Sequence, residues 1–235
     1  MPALLRGLIL VSAGSSFWNC GSVPKKTDPV EESRPAASKE LPADKSSDTR
    51  PSIVALGDSL TAGLRVDPAR NYPSVLQRKL DDAGYLYRVV NAGVSGDTSA
   101  QGLNRLAGVR NYHPVVVILS LGANDGLRGI PVSTTSSNLD NIITQLKRDG
   151  TKVILLGMQM PPNYGAEYTQ AFSAAYPDLA AKHDIPLVPF MLAGVAGDSR
   201  FNQEDGIHPT AEGYEIVAEN VWKVLKPLLD KSRPR

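Results

Sequence analysis

The sequence predicts a doubly wound α/β fold, a three-layer α/β/α sandwich around a five-stranded parallel sheet. Five short segments have the length and composition of strands: 52–58, 87–93, 115–122, 152–159 and 186–190. Four of them are continuously apolar, which is typical of strands buried on both faces, as in parallel sheets. Longer amphipathic segments separate the five, so strand and helix alternate along the chain.

A helical pattern follows each of the first four predicted strands, and another closes the chain. Gly84 and Gly150 lie where two of these helices should end, and Pro209 lies near the first turn of the last one. In such a sheet the working site lies beyond the carboxyl ends of the strands. The predicted helices cover 72–83, 99–109, 133–147, 168–183 and 209–229.

The first fifty residues differ in composition from the rest. Residues 1–20 carry one arginine and a short apolar run, too short to span a membrane and typical of an export signal, with a disordered cytoplasmic tail as the alternative. Residues 21–50 contain four prolines and no aromatic residue, which indicates a flexible tether. We therefore expect one folded domain over 51–229 and a disordered tail over 230–235.

Cys20 is the single cysteine of the chain. One cysteine excludes an internal disulfide and a Cys/His zinc cluster. Its position after the apolar run resembles bacterial lipoproteins, in which such a cysteine is lipidated and anchors the protein to a membrane surface. The preceding "FWN" departs from that pattern, so an incidental thiol is the alternative. The expected location is exported, either periplasmic or membrane-anchored.

The charge balance gives no support for a nucleic-acid partner. The chain has 25 Lys+Arg against 24 Asp+Glu, so no broad electrostatic attraction to polyanions is indicated. One domain without an evident coiled coil favours a monomer. We therefore look for a local site that binds a small molecule.

Chemically unusual residues follow the predicted strands, where a site is expected. Acyl transfer by a serine needs a nucleophile, a base, a group that orients the base, and donors for the oxyanion. Ser59 is the candidate nucleophile, His208 the base and Asp205 the orienting carboxylate. The backbone N–H groups of Ser59 and Gly93 and the side-chain amide of Asn124 are the candidate oxyanion donors.

Four sequence blocks carry a family resemblance. "GDSL" at 57–60, Gly93, "GAND" at 122–125 and "DGIHP" at 205–209 resemble, in order and spacing, the blocks of the SGNH or GDSL hydrolase family. Longer strings such as "NAGVSGDTSAQGLNRL" are similar to its bacterial subgroup of acyl-CoA thioesterases, lysophospholipases and arylesterases. The resemblance implies a flavodoxin-like strand order, hydrolysis of esters and thioesters through an acyl-Ser59 intermediate, and no cofactor.

Other interpretations of the same residues stay open at the level of sequence. Ser59 has the position of a helix N-cap, and Asn124 would also suit a buried structural amide. Asp205 and His208 would serve as metal ligands only with partners that the sequence does not indicate. Other candidate functions are carbohydrate O-acetylesterase activity and an envelope lipoprotein that binds without catalysis. Residues of the segment after the fourth strand either line an acyl pocket or pack as an ordinary loop: Met160, Pro161, Pro162 and Tyr164.

Overall fold

The computed structural model describes residues 48–230. The predicted export signal, Cys20, most of the predicted tether, and positions 231–235 of the predicted tail lie outside the described residues. No helix of the described part is both long enough and apolar enough to cross a membrane.

The predicted parallel sheet is confirmed. Its five strands are β1 (Ser52–Gly57), β2 (Arg88–Gly93), β3 (Pro114–Ser120), β4 (Lys152–Leu156) and β5 (Leu187–Val188), and all pair in parallel. Their spatial order is β2-β1-β3-β4-β5, the flavodoxin-like order. The chain reverses direction across the sheet between β1 and β3, so the ligand crevice of such a fold is expected beyond the carboxyl ends of these two strands.

Eight α-helices surround the sheet in the described residues. α2 packs beside α8, while α3, α6 and α7 pack side by side, which completes the three layers. Central strand residues such as Ile53, Leu56, Ile118 and Leu119 are fully buried, as the continuous apolar runs predict. The helices are α1 (Ser59–Ala62), α2 (Tyr72–Asp82), α3 (Ser99–Asn104), α4 (Leu106–Arg110), α5 (Ala123–Leu127), α6 (Val132–Arg148), α7 (Ala166–His183) and α8 (Ala211–Asp230).

Three features of the helices differ from the prediction. The pattern over 99–109 forms two helices, because Arg105 leaves the helical conformation and turns its buried side chain toward the carboxyl end of β1. The last helix starts at Ala211, since Pro209 belongs to an isolated bridge with Asn202. The short helices α1 and α5 were not predicted, and both follow directly on central strands.

Candidate active site

Ser59 is the first residue of α1, immediately beyond the carboxyl end of β1. The preceding residue, Asp58, caps this helix, because its carboxylate accepts a hydrogen bond from the Leu60 N–H at 3.0 Å. The alternative role of Ser59 as the helix cap is therefore filled by its neighbour. Ser59 is half-buried, and its hydroxyl is available for another contact.

His208 lies against the Ser59 hydroxyl. Ser59 Oγ and His208 Nε2 are 2.9 Å apart, and His208 Nδ1 lies 2.9 Å from Asp205 Oδ2. The fold thus brings into contact two residues that are 149 positions apart in the sequence. The structure brings the three predicted catalytic side chains together in the order hydroxyl, imidazole, carboxylate, which is the arrangement that general base catalysis by a serine requires.

Asp205 is fixed by its own loop. Its Oδ1 accepts hydrogen bonds from the backbone N–H groups of His208 and Ile207, both at 3.0 Å. These two donors, helped by the His208 ring, lower the pKa of Asp205 to about 2, so the carboxylate is ionised at neutral pH. The exposed Arg65 approaches the same carboxylate at 3.4 Å. An ionised acceptor next to Nδ1 favours an imidazole that carries its proton there and leaves Nε2 free to accept one.

Asn124 lies on α5, beyond the carboxyl end of β3. Its amide nitrogen donates to the Asp97 carbonyl at 3.0 Å and has a long contact of 3.4 Å with the Asp58 carboxylate. The side chain thus joins the Asp97 loop to the turn that carries Ser59. The long second contact leaves one amide hydrogen weakly engaged, which suits a group that binds a ligand atom.

Gly93 has an environment that does not favour the predicted role of oxyanion donor. Its N–H donates to Asn91 Oδ1 at 2.9 Å, so it is already engaged within the protein. A Cβ at this position would lie 2.2 Å from the Ala62 nitrogen and 2.7 Å from the Thr61 carbonyl carbon. The glycine is needed because β2 ends against the backbone of α1.

Gly96, three residues further along this loop, is a candidate donor that was not predicted from the sequence. It has a φ of +89°, and its carbonyl accepts from Arg128 at 2.8 Å, while the next carbonyl, that of Asp97, accepts from Asn124. Its N–H makes no hydrogen bond among the described residues. A Cβ here would meet nothing nearer than 3.9 Å, so this glycine faces open space. The second glycine of "NAGVSGDTS" was the signal available in the sequence.

A cavity of about 530 Å³ opens beside the candidate triad. Its lining includes Leu60, next to Ser59, and Ile207, next to His208, and it is mostly apolar. The lining contains Met160, Pro161 and Pro162, as one of the two sequence interpretations expected. The remaining lining residues are Ala123, Leu127, Met158, Gln159, Phe190, Leu192, Ala196, Gly197, Asn202 and Gly206.

Tyr164 is absent from the lining of this cavity, which favours the alternative that it packs as part of an ordinary loop. Its hydroxyl donates to the Leu127 carbonyl at 3.3 Å, and its ring stacks on Tyr168 at a centroid distance of 6.5 Å. The side chain packs between α5 and the start of α7. Its contribution is to support the wall of the cavity from outside.

The other imidazoles lie elsewhere. His183 is the last residue of α7, and its Nε2 is 2.6 Å from Asp140 Oδ1 on α6. His113 directly precedes β3, at the amino end of the parallel strands and thus away from the candidate triad. Within residues 48–230 no group of three or more His, Cys, Asp or Glu side chains is arranged to hold a metal ion.

The fold and this constellation define a class of protein. A serine, a histidine and an aspartate in hydrogen-bond contact at the carboxyl edge of a parallel sheet, beside an apolar cavity, are typical of an α/β hydrolytic enzyme that acts on acyl groups. The sequence profile of the GDSL-like Lipase/Acylhydrolase family matches residues 55–216. The chain belongs to this family.

Individual relatives agree with this assignment. The chain is 47% identical over 178 residues to the esterase TesA of Pseudomonas aeruginosa, covering 75% of this chain and 89% of that protein. It is 40% identical over 179 residues to thioesterase 1/protease 1/lysophospholipase L1 of Escherichia coli, covering 76% and 85%. The crystal structure of the psychrotrophic esterase EstA from Pseudoalteromonas sp., inhibited by monoethylphosphonate, superposes with a TM-score of 0.73 at 30% identity, covering 76% and 98%. The chain is accordingly an enzyme that hydrolyses esters and thioesters.

Proposed function

We propose that hydrolysis proceeds through an acyl-enzyme on Ser59. Ser59 Oγ attacks the carbonyl carbon of the substrate while His208 Nε2 accepts the hydroxyl proton. The tetrahedral intermediate then collapses, the bond to the alcohol or thiol breaks, and His208 returns the proton to this leaving group. Water attacks the acyl-Ser59 ester in the same way and releases the acid. The observation that supports this proposal is the 2.9 Å contact of Ser59 with His208, continued at 2.9 Å to Asp205.

Three donors are proposed for the oxyanion. They are the backbone N–H of Ser59, the amide of Asn124 and, in place of Gly93, the backbone N–H of Gly96. The N–H groups of Ser59 and Gly96 make no hydrogen bond among the described residues, and Asn124 is tied to the carbonyl of Asp97, directly after Gly96. Preorganised donors of this kind stabilise the charge that develops on the substrate oxygen.

The proposed substrates carry an apolar acyl chain. The cavity beside Ser59 is large and mostly apolar, which favours an alkyl or aryl acyl group over a short acetyl group on a sugar. Aryl esters, acyl thioesters and lysophospholipids all present such a group. The cavity therefore supports this proposal over carbohydrate O-acetylesterase activity.

Replacement of Ser59 by alanine tests the proposal. Ser59→Ala should reduce hydrolysis of p-nitrophenyl esters to background and abolish labelling by a fluorophosphonate probe, because the attacking oxygen is gone. The unfolding temperature should stay close to that of the wild type. Ser173→Ala, at a half-buried position of α7 outside the cavity lining, is the matched control and should retain both activities. Wild-type turnover by Ser59→Ala would contradict the assignment, and a wild-type enzyme that binds esters without turnover would favour the non-catalytic alternative.

We further propose that the chain is exported and acts as a monomer at the cell envelope. The apolar run of residues 1–20 and the position of Cys20 support export and lipidation, and all the proposed catalytic groups come from one chain. Metabolic labelling with a palmitate analogue, compared between the wild type and Cys20→Ser, tests the lipid anchor.

A further inference from the structure

Gln203 lies at the start of the loop that carries the proposed base and its carboxylate partner. Its backbone N–H donates to the His208 carbonyl at 2.8 Å, and its carbonyl accepts from the Gly206 N–H at 2.9 Å. Its side-chain nitrogen donates to the Pro209 carbonyl at 2.9 Å. Three hydrogen bonds from this one residue close the loop around Asp205.

The same side-chain nitrogen also reaches the segment that carries the nucleophile. It donates to the Leu64 carbonyl at 2.8 Å, across 139 residues of sequence. The Leu64 N–H in turn donates to the carbonyl of Ser59 at 3.2 Å. The backbone of Ser59 and the loop of His208 are thus connected through Leu64 and one half-buried glutamine side chain.

The chemistry of this position suits an amide. The side-chain nitrogen of glutamine carries two hydrogens, and two carbonyl oxygens on different segments accept them. A thioether or a carboxylate of similar length offers no donor, whereas an ammonium group offers three. Substitutions can therefore remove or restore the donors without a large change in side-chain length.

We propose that Gln203 is a positioning residue that sets the distance between Ser59 Oγ and His208 Nε2. This inference rests on the proposed function, since it concerns the geometry of that triad. Gln203 contacts neither of these two atoms, so it acts through the loop. A displacement of about 1 Å between reacting groups costs on the order of a hundredfold in rate, which makes such a connection consequential.

The test compares variants that differ in donors at position 203. Gln203→Met should lower kcat for a p-nitrophenyl ester by about tenfold to a hundredfold and leave KM within about twofold, because the triad is displaced while the acyl cavity is intact. Gln203→Lys should recover most of this loss. Gln170→Met, on the exposed face of α7, is the matched control and should keep the wild-type kcat.

A double-mutant cycle with His208→Ala distinguishes positioning from a general structural role. If Gln203 acts through the imidazole, Gln203→Met should change the residual rate of His208→Ala by less than about twofold, whereas a general loss of structure would lower both backgrounds equally. All rates refer to folded enzyme, and Gln203→Glu, which also lacks donors, replaces Gln203→Met if the latter does not fold.

The possible results separate this inference from the function on which it rests. The inference is overturned if the donor-free variants keep the wild-type kcat, if Gln203→Lys is no faster than they are, or if the loss persists in the His208→Ala background. Ser59→Ala, measured in parallel, tests the proposed function separately, because wild-type activity in that variant would overturn the triad itself.

Discussion

The two residues that precede Ser59 determine how its hydroxyl is presented. A Cβ at Gly57 would lie 2.0 Å from Thr61 Oγ1 and 2.7 Å from the carbonyl of Ser120, so only glycine allows α1 to start so close to β1. Asp58 caps the helix in place of Ser59. Ser59 is therefore not needed as the cap of α1, because Asp58 caps the helix and Gly57 allows the close approach to β1.

Asp58 combines this structural role with an unusual environment. The side chain is fully buried, and burial raises the pKa of Asp58 from 3.8 to about 7, with the nearby carboxylates of Asp97 and Asp125 adding to the effect. Between these two pH values the Asp58 side chain is therefore protonated to a larger extent in the folded protein than in the unfolded chain. Because the pKa is raised on folding, the stabilisation that the group contributes is fully present below pH 3.8 and is lost as the pH rises through 7.

Asp58→Asn tests this prediction, because the amide keeps the helix cap and does not ionise. We expect the free energy of unfolding of the wild type, relative to the variant, to decrease by on the order of 2–4 kcal/mol between pH 4 and pH 8. Urea unfolding at several pH values measures this difference. Asp67→Asn, at an exposed carboxylate that accepts from the Ala69 N–H, isolates the effect of burial. A difference that does not change with pH would contradict the prediction.

At the scale of elements, the site depends on close contacts between strand ends and the short helices that follow them. β2 ends at Gly93 against the backbone of α1, and β3 leads through Gly122, at a φ of +113°, into α5. The hydroxyl of Tyr176 on α7 donates to the Leu121 carbonyl at 3.1 Å and fixes the start of that turn. Glycines at these positions allow the strand ends and short helices to approach closely.

Gly93→Ala should therefore lower the free energy of unfolding. The added methyl group would collide with the backbone of α1, so we expect a loss of about 1–3 kcal/mol in the free energy of unfolding. Gly96→Ala meets no such collision, but a side chain is strained at a φ of +89°, so this variant should displace the proposed donor and lower kcat per folded molecule. Urea unfolding and active-site-titrated kinetics measure the two effects. Unchanged stability with a large loss of kcat in Gly93→Ala would restore its role as an oxyanion donor.

Buried charge explains why the predicted helix over 99–109 is divided. Arg105 is 4% exposed, and its guanidinium donates to Asp97 at 2.5 Å and to the Gly57 carbonyl at 2.8 Å. These contacts join the loop after β2 to the end of β1. Helical periodicity alone gives no indication of them, because Asp97 lies before the helix begins and Gly57 is 48 residues away in sequence.

At the scale of the whole molecule, the cavity beside Ser59 is assembled from the segments that follow β1, β3, β4 and β5. Ala196 lines it, whereas Ala193, three residues earlier, lies outside its lining; both positions are exposed to solvent. The size of this cavity should determine which acyl chains are hydrolysed best, since each buried methylene contributes about 0.8 kcal/mol.

Ala196→Phe should fill part of the cavity. We expect kcat/KM for p-nitrophenyl octanoate to fall at least about tenfold relative to that for the acetate, because the longer chain loses its apolar contacts. Steady-state kinetics over a series of chain lengths measures this ratio, and Ala193→Phe is the matched control. An equal fall for both esters would indicate that the cavity does not hold the acyl chain.

Much of this architecture was accessible from the sequence. Continuous apolar runs are a local property, and they predicted four of the five parallel strands. The rule that sites lie at carboxyl strand ends then selected Ser59, Asn124, Asp205 and His208. The catalytic roles of these residues stay predictions that the proposed variants test. Their mutual contacts depend on the fold.

The sequence by itself determined the fold class and the residue types available for acyl chemistry. Both depend on hydrophobic periodicity and on the residues that follow each strand, and these are properties of short segments of the chain. Only the tertiary structure decided that Gly93 packs against α1 while Gly96 faces open space, that Tyr164 supports the cavity from outside, and that Gln203 connects the two halves of the site. The physical reason is that each of these depends on contacts between segments distant in sequence, and the identity of a residue does not reveal which atoms the fold will bring against it.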